Sequence, residues 1–283
     1  MQNKDFSKKR PKVLCLATFF NRKEKTVNAV RKLIDGSPGV ELSFCLVDDG
    51  STDGTSEILK DFPGVHVLFG SGNLFYSGGM RKAIDYAKNT DNKYNYVLLF
   101  NDDVDFFPGA LERLIDCSGK YDSHAIWVGP TCDDSDKLSY GGVRRTSAIR
   151  PNCEIVMSKE REGRECDTFN ANCVLIPWNT FLELPNIPTP YGHSMGDFAY
   201  GFEAHRRGIK ILVMDQFIGK CNDNSQKGTW LDTELSFSER IRKKENPKGL
   251  PFKAWFYYLL TNYNIFTAIV YSIIPYARII LRR

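Results

Sequence analysis

Across residues 13–100, short apolar runs alternate with amphipathic stretches. The runs lie at 13–18, 41–47, 65–69 and 96–100, and residues 23–34, 53–61 and 79–89 separate them with helix-like spacing. This alternation constrains the fold more than any other feature. Runs this short and this apolar suit strands buried on both faces, and helical connections between them force successive strands to lie parallel. The expectation is an α/β fold with a mostly parallel, Rossmann-like sheet flanked by helices. Each run ends in a polar or glycine-rich loop: Phe19-Phe20-Asn21-Arg22, Asp48-Asp49-Gly50-Ser51, Gly70-Ser71-Gly72-Asn73 and Asn101-Asp102-Asp103. Open α/β sheets bind ligands at the carboxyl edge, where all four loops would gather.

With 283 residues and 42% hydrophobic side chains, the chain can bury a large core, which excludes a disordered or fibrous protein. A net charge of +4, spread along the chain, gives no basis for binding nucleic acid. The eight cysteines form no C-x-x-C pair, and several stand inside apolar runs, so reduced, buried thiols are expected. The polar, basic start at residues 1–12 leads into an apolar run too short for a signal peptide, which points to a cytosolic chain. Residues 121–165 lack clear periodicity and read as loops and short strands over a cleft. Regular signals return at 172–178, 196–207 and 210–214 as strand, helix and strand. A main domain over 1–218 is therefore expected, with a first half at 12–105 and a second at 106–218. A helical extension at 219–283 would follow it.

Four segments carry candidate chemistry. Asp48-Asp49 and the Ser/Thr run behind them can simply turn a strand into a helix, or one carboxylate can bind a ribose or a base edge. Asn101-Asp102-Asp103-Val104-Asp105 follows the most apolar strand of the first half. Carboxylates at such an edge suit Mg²⁺ or Mn²⁺ shared with a diphosphate, the alternative being a solvated acidic turn. Gly72 to Arg81 opens a helix with two glycines and a cation, as a phosphate site does and as an ordinary glycine turn also does. Asp197 stands behind Gly196 at the start of a helix, either as a cap or as a general base over the cleft. His193, nearby, reads as structural.

In their order along the chain, these elements resemble the family 2 glycosyltransferases, in particular a bacterial rhamnosyltransferase-like branch with a GT-A-type fold. The resemblance spans roughly residues 13–214 and includes Gly201 and Arg206-Arg207-Gly208 behind Asp197. The resemblance would make 1–218 a catalytic domain, with a nucleotide-binding half at 12–105 and an acceptor half at 106–218. It implies that Thr18 and Asp48 or Asp49 line the base and ribose pocket and that Arg81 approaches the diphosphate. Asp103 would coordinate Mn²⁺ or Mg²⁺, with Asn101 standing where many members have a first acid. Asn170 and Asn172 would contact the donor sugar, and Asn21, Arg22, Asn73, Gly79 and Asp102 complete the donor-binding set. Asp197 would be the base of an inverting transfer from a UDP- or dTDP-sugar to a hydroxyl of a glycan or lipid-linked glycan in bacterial surface polysaccharide assembly. Nucleotidylyltransferases and dehydrogenases both want a glycine-rich loop after the first strand, and Thr18-Phe19-Phe20-Asn21-Arg22 has no glycine. A nucleotide-sugar binder or membrane scaffold without turnover is the remaining alternative, although intact Asp103 and Asp197 speak for an enzyme.

The tail, residues 254–281, is apolar and aromatic, preceded by Arg242-Lys243-Lys244, Lys248 and Lys253 and closed by Arg282-Arg283. An interfacial segment on the cytoplasmic face of the plasma membrane, a pair of amphipathic helices packed on protein, and a membrane span all match this pattern. Asn262, Asn264 and Pro275 weigh against the span.

Overall fold

The computed structural model describes residues 10–223 and 225–281. Most of the basic N-terminal stretch and the closing Arg282-Arg283 pair lie outside the described residues. The first half folds as its pattern predicts: β1 (Lys12–Phe19), α1 (Lys23–Gly36), β2 (Glu41–Asp48), α2 (Thr55–Leu59), β3 (Val65–Phe69), α3 (Phe75–Lys88) and β4 (Tyr96–Phe100). Alternate residues of β1 enter opposite cores. Leu14 and Leu16 pack with Met80, Ala83 and Ile84 of α3, while Val13, Cys15 and Ala17 pack with Val27, Val30 and Leu33 of α1. A strand covered on both faces has no position for a polar side chain, which is why its sequence is a continuous apolar run.

These strands form half of an eight-stranded sheet. Its order is Arg164–Glu165, Ile211–Val213, Ile126–Val128, Cys173–Pro177, β4, β1, β2, β3. Cys173–Pro177 runs antiparallel to both its neighbours and Arg164–Glu165 runs antiparallel to the strand beside it, while the other six share one direction. The fold is thus the expected α/β, mostly parallel sheet. The register places Phe19 opposite Asp48 and Asp48 opposite Phe69, so the loops after β1, β2 and β3 leave the sheet at one level. Cys173 pairs with Phe100, and the Asn101 amide donates to the Asn172 carbonyl at 3.2 Å. The antiparallel strand therefore begins where β4 ends.

Three features differ from the sequence reading. The helix expected from Gly79 begins at Phe75, so Gly78 and Gly79 lie inside it. Gly219–Lys220, at the head of the expected extension, is a strand between Asp105–Phe106 and Thr131–Cys132 in a small second sheet. All eight cysteines are free, but Cys153 is exposed and Cys117 half-buried.

The tail forms three helices, Phe237–Glu245, Phe252–Asn262 and Ile265–Ile280. The first starts with a capping box between Ser236 and Glu239. Ala254, Tyr258, Leu259 and Ala268 pack into the core beside α3 and the Gly196–Arg206 helix, and Arg206 Nη1 donates to Asn262 Oδ1 at 2.7 Å. The opposite side of the last helix stays in solvent, with Phe266 78% and Ile273 59% exposed. Among the described residues, no helix is long and apolar enough to cross a membrane.

Candidate active site

The loops at the carboxyl edge, the start of the Cys173–Pro177 strand and the start of the Gly196–Arg206 helix enclose a cavity of about 430 Å³, a size common for small-ligand sites. Thr18, Arg22, Asp49, Asp102, Asp103, Asn170, Asn172 and Asp197 line it, as anticipated.

Asp102 and Asp103 lie just beyond β4 and are bridged by one cation. Arg22 Nη1 is 3.1 Å from Asp102 Oδ1 and 2.9 Å from Asp103 Oδ2. Each carboxylate's second oxygen is held elsewhere. Thr26 Oγ1 donates to Asp102 Oδ2 at 3.1 Å, and the Cys221 thiol is 3.7 Å from Asp103 Oδ1. Burial pushes the Asp102 carboxyl up; Arg22 pulls it back, and the neighbouring Asp103 adds to the rise. Burial alone would lower the Arg22 guanidinium, but the two aspartates outweigh it and raise it.

Two hard oxygens from different residues that reach a single point form the kind of donor set a Mg²⁺ or Mn²⁺ ion uses. Among the described residues, no group of three or more His, Cys, Asp or Glu side chains could hold a metal. The two aspartates suit an ion whose remaining ligands are phosphate oxygens and water.

Asp197 sits in the first turn of its helix behind Met195, a non-glycine residue at φ +68°. Close packing sets this turn, since a Cβ added at Gly196 would lie 2.2 Å from Ser77 Oγ. Asp197 Oδ1 accepts from the Phe198 amide at 2.8 Å and Oδ2 from the Ala171 amide at 3.4 Å. Burial nevertheless pushes its carboxyl up to about 6, with the backbone donors opposing the shift. Nearby, burial lowers the His193 imidazole to about 4, helped by Lys248 and Arg22, so the ring is neutral at physiological pH. Its Nδ1 and Asn170 Oδ1 are buried without a hydrogen-bond partner, and both residues line the cavity.

Five anticipated donor-binding residues do not line the cavity. Arg81 is turned away from it and donates from Nη1 to the carbonyls of Pro188 at 3.1 Å and Tyr191 at 2.8 Å. The early start of α3 explains this. With Phe75 first, Arg81 is the seventh helical residue, beyond the turn whose free N–H groups attract anions. Gly79 is covered by Thr18. Asp48 accepts from the Ser51 amide at 2.7 Å and from the Ser56 hydroxyl, the turn-forming alternative. The Asn21 side chain accepts from the Thr52 amide at 2.8 Å, joining two loops. Asn73 has no place in the lining. Asp49 does line the cavity, while accepting from the Gly72 and Phe75 amides at 2.9 and 2.8 Å.

The sequence reading missed Phe75, Tyr76, Tyr140, Cys221 and Lys248, all in the lining. The adjacent aromatics Phe75-Tyr76, directly behind the glycine-rich loop and opening α3, are a signal that could have been read. Lys248 gives none, because it comes from the tail and is brought in partly by the hydrogen bond from Ser194 Oγ to the Gly249 carbonyl at 2.9 Å.

A model of glycosyl transferase family 2 matches residues 15–174, more than half of the chain. N-acetylglucosaminyl-diphospho-decaprenol L-rhamnosyltransferases from two Mycobacterium tuberculosis strains, CDC 1551 / Oshkosh and ATCC 25618 / H37Rv, are each 28% identical to it over 191 residues. That match covers 59% of this chain and 62% of each relative's length. A mannosyltransferase from Pyrobaculum calidifontis, solved in complex with GDP-Man and Mn²⁺, superposes with a TM-score of 0.54 at 14% identity, covering 95% of this chain and 76% of that one. That likeness is one of fold, the GT-A type. The family match ends before Asp197. The chain belongs to glycosyl transferase family 2.

Proposed function

We propose that this chain transfers a sugar from a UDP- or dTDP-linked donor to a hydroxyl of a lipid-linked glycan acceptor, with inversion, in bacterial surface polysaccharide assembly. The observation that carries the reading is one cavity containing both a carboxylate raised to about 6 and a carboxylate pair converging on a cation. Asp197 removes the proton from the acceptor hydroxyl. The freed oxygen bonds to the anomeric carbon as the bond to the diphosphate breaks, so the nucleoside diphosphate leaves from the opposite face and the configuration inverts. No covalent nucleophile is needed. Asp103, with Asp102, would hold the Mn²⁺ or Mg²⁺ that neutralises charge on the departing diphosphate. Thr18 and Asp49 border the nucleotide end, and Asn170 and Asn172 border the sugar.

The lipid-linked acceptor is supported by the names of the mycobacterial relatives. It is also supported by the tail, which presents exposed apolar residues and has no Asp or Glu across residues 252–281. We place the protein peripherally on the cytoplasmic face of the plasma membrane, with these helices against the lipid.

Calorimetric titration with UDP, dTDP and GDP, with and without Mn²⁺, tests the reading. Metal-dependent binding of UDP or dTDP that weakens in Asp103→Asn is expected, and binding of GDP alone, or of none of the three, would overturn it.

A further inference from the structure

The chain sets one of its own cations on the candidate metal site. The two oxygens that converge there, Asp102 Oδ1 and Asp103 Oδ2, are the ones not held by Thr26 or Cys221, and both lie against Arg22 Nη1. A divalent ion on the same two oxygens would stand where the guanidinium now is, and two cations cannot share that point. The backbone beside Arg22 is pinned. The Asn21 amide donates to Ser51 Oγ at 2.9 Å, the Lys23 amide to Asp53 Oδ2 at 2.9 Å, and the Arg22 carbonyl accepts from the Thr26 amide at 2.9 Å. Exchange must therefore be a rotation of the Arg22 side chain, which is 45% exposed and free to swing within the cavity it lines.

We propose that Arg22 is a resident counter-cation that the divalent metal displaces, and that the donor diphosphate drives the exchange by accepting the displaced guanidinium. The inference rests on the metal-assisted reading above. A guanidinium leaves a carboxylate pair at little cost only when another anion receives it, and a diphosphate offers the same forked geometry. Arg22 thereby couples two events: metal binds weakly to the free protein and tightly once a nucleoside diphosphate is present. In the free protein it also relieves the repulsion between Asp102 and Asp103 without a metal.

The test is the affinity for Mn²⁺ itself, read by electron paramagnetic resonance of the free ion and by calorimetry. It uses the full chain and Arg22→Gln, with and without saturating UDP or dTDP, whichever binds, and thermal melts confirm folding. The native protein should bind Mn²⁺ at least about tenfold more tightly when the diphosphate is present. Arg22→Gln should bind Mn²⁺ alone about tenfold more tightly than the native protein and lose most of the gain on adding the diphosphate. Arg22→Met, a second neutral variant, should behave in the same way. Equal or weaker Mn²⁺ binding by folded Arg22→Gln and Arg22→Met would overturn the exchange, since Arg22 would then be helping to build the site. If the native protein binds diphosphate but no Mn²⁺ under any condition, the inference fails together with the metal-dependent mechanism, while the donor assignment stands.

Discussion

Thr18 and Gly79 are in contact: a Cβ built on Gly79 would lie 2.1 Å from Thr18 Oγ1. The strand that ends at the cavity and the helix behind it approach as closely as a missing side chain permits. Thr18 Oγ1 donates to the Val47 carbonyl at 3.0 Å, so the same contact ties β1, β2 and α3 together beside the cavity.

Gly79→Ala should therefore destabilise the protein by about 1–3 kcal/mol through overpacking, less the roughly 1 kcal/mol that alanine gains over glycine inside a helix. By moving Thr18 it should also weaken nucleoside diphosphate binding. Denaturant unfolding and calorimetry check the two effects, and an unchanged protein would mean that Thr18 yields freely.

Asp197→Asn should reduce kcat by about two to four orders of magnitude. In the native protein the rate should rise through about pH 6 as Asp197 loses its proton. Stability should move the other way. A carboxyl whose folded pKa lies above the unfolded value binds more protons when folded, so its contribution declines as pH climbs from about 4 to about 6. The amide carries no such charge, and its melting temperature at pH 7 should equal or exceed that of the native protein. An inactive variant that also melts much earlier would indicate a structural role instead.

Arg81→Ala separates bracing from ligand binding. Loss of the bonds to the Pro188 and Tyr191 carbonyls should cost about 1–3 kcal/mol of stability. It should also lower kcat by loosening the segment that leads to Asp197. Affinity for nucleoside diphosphate should stay within about twofold, whereas a charge-assisted phosphate contact worth about 1.5–3 kcal/mol would cost tenfold or more.

Vesicle sedimentation addresses the tail. The native chain should pellet with vesicles containing phosphatidylglycerol but weakly with phosphatidylcholine alone, and Phe266→Ser combined with Ile273→Ser should reduce pelleting about tenfold or more. Both residues are over half exposed, so the double variant should fold normally. Pelleting unaffected by these substitutions would move the contact elsewhere, and a shift from dimer to monomer in the variant would identify a second copy as the occupant.

The parallel half of the sheet was legible because strands such as β1 are buried on both faces and leave unbroken apolar runs, with loops to mark their ends. Asp102, Asp103 and Asp197 were legible as acids at element boundaries. Arg81 misled because glycines before an arginine suggest a helix start, while the actual start at Phe75 depends on how α3 packs against Thr18 and the Gly192 carbonyl. The clamp formed by Arg22 joins residues about eighty positions apart and becomes visible only once β1 and β4 are known to be neighbours. Lys248 depends on how the tail docks, which no local pattern encodes.

The antiparallel Cys173–Pro177 strand has one further consequence. By pairing with β4 on one side and Ile126–Val128 on the other, it splices the first four strands and the later ones into a single ladder. A jaw-like opening along this seam would have to break ladder hydrogen bonds. Exchanging everything beyond β4 for the matching part of a relative would require recutting this ladder strand by strand, whereas replacing an individual rim loop would leave it whole.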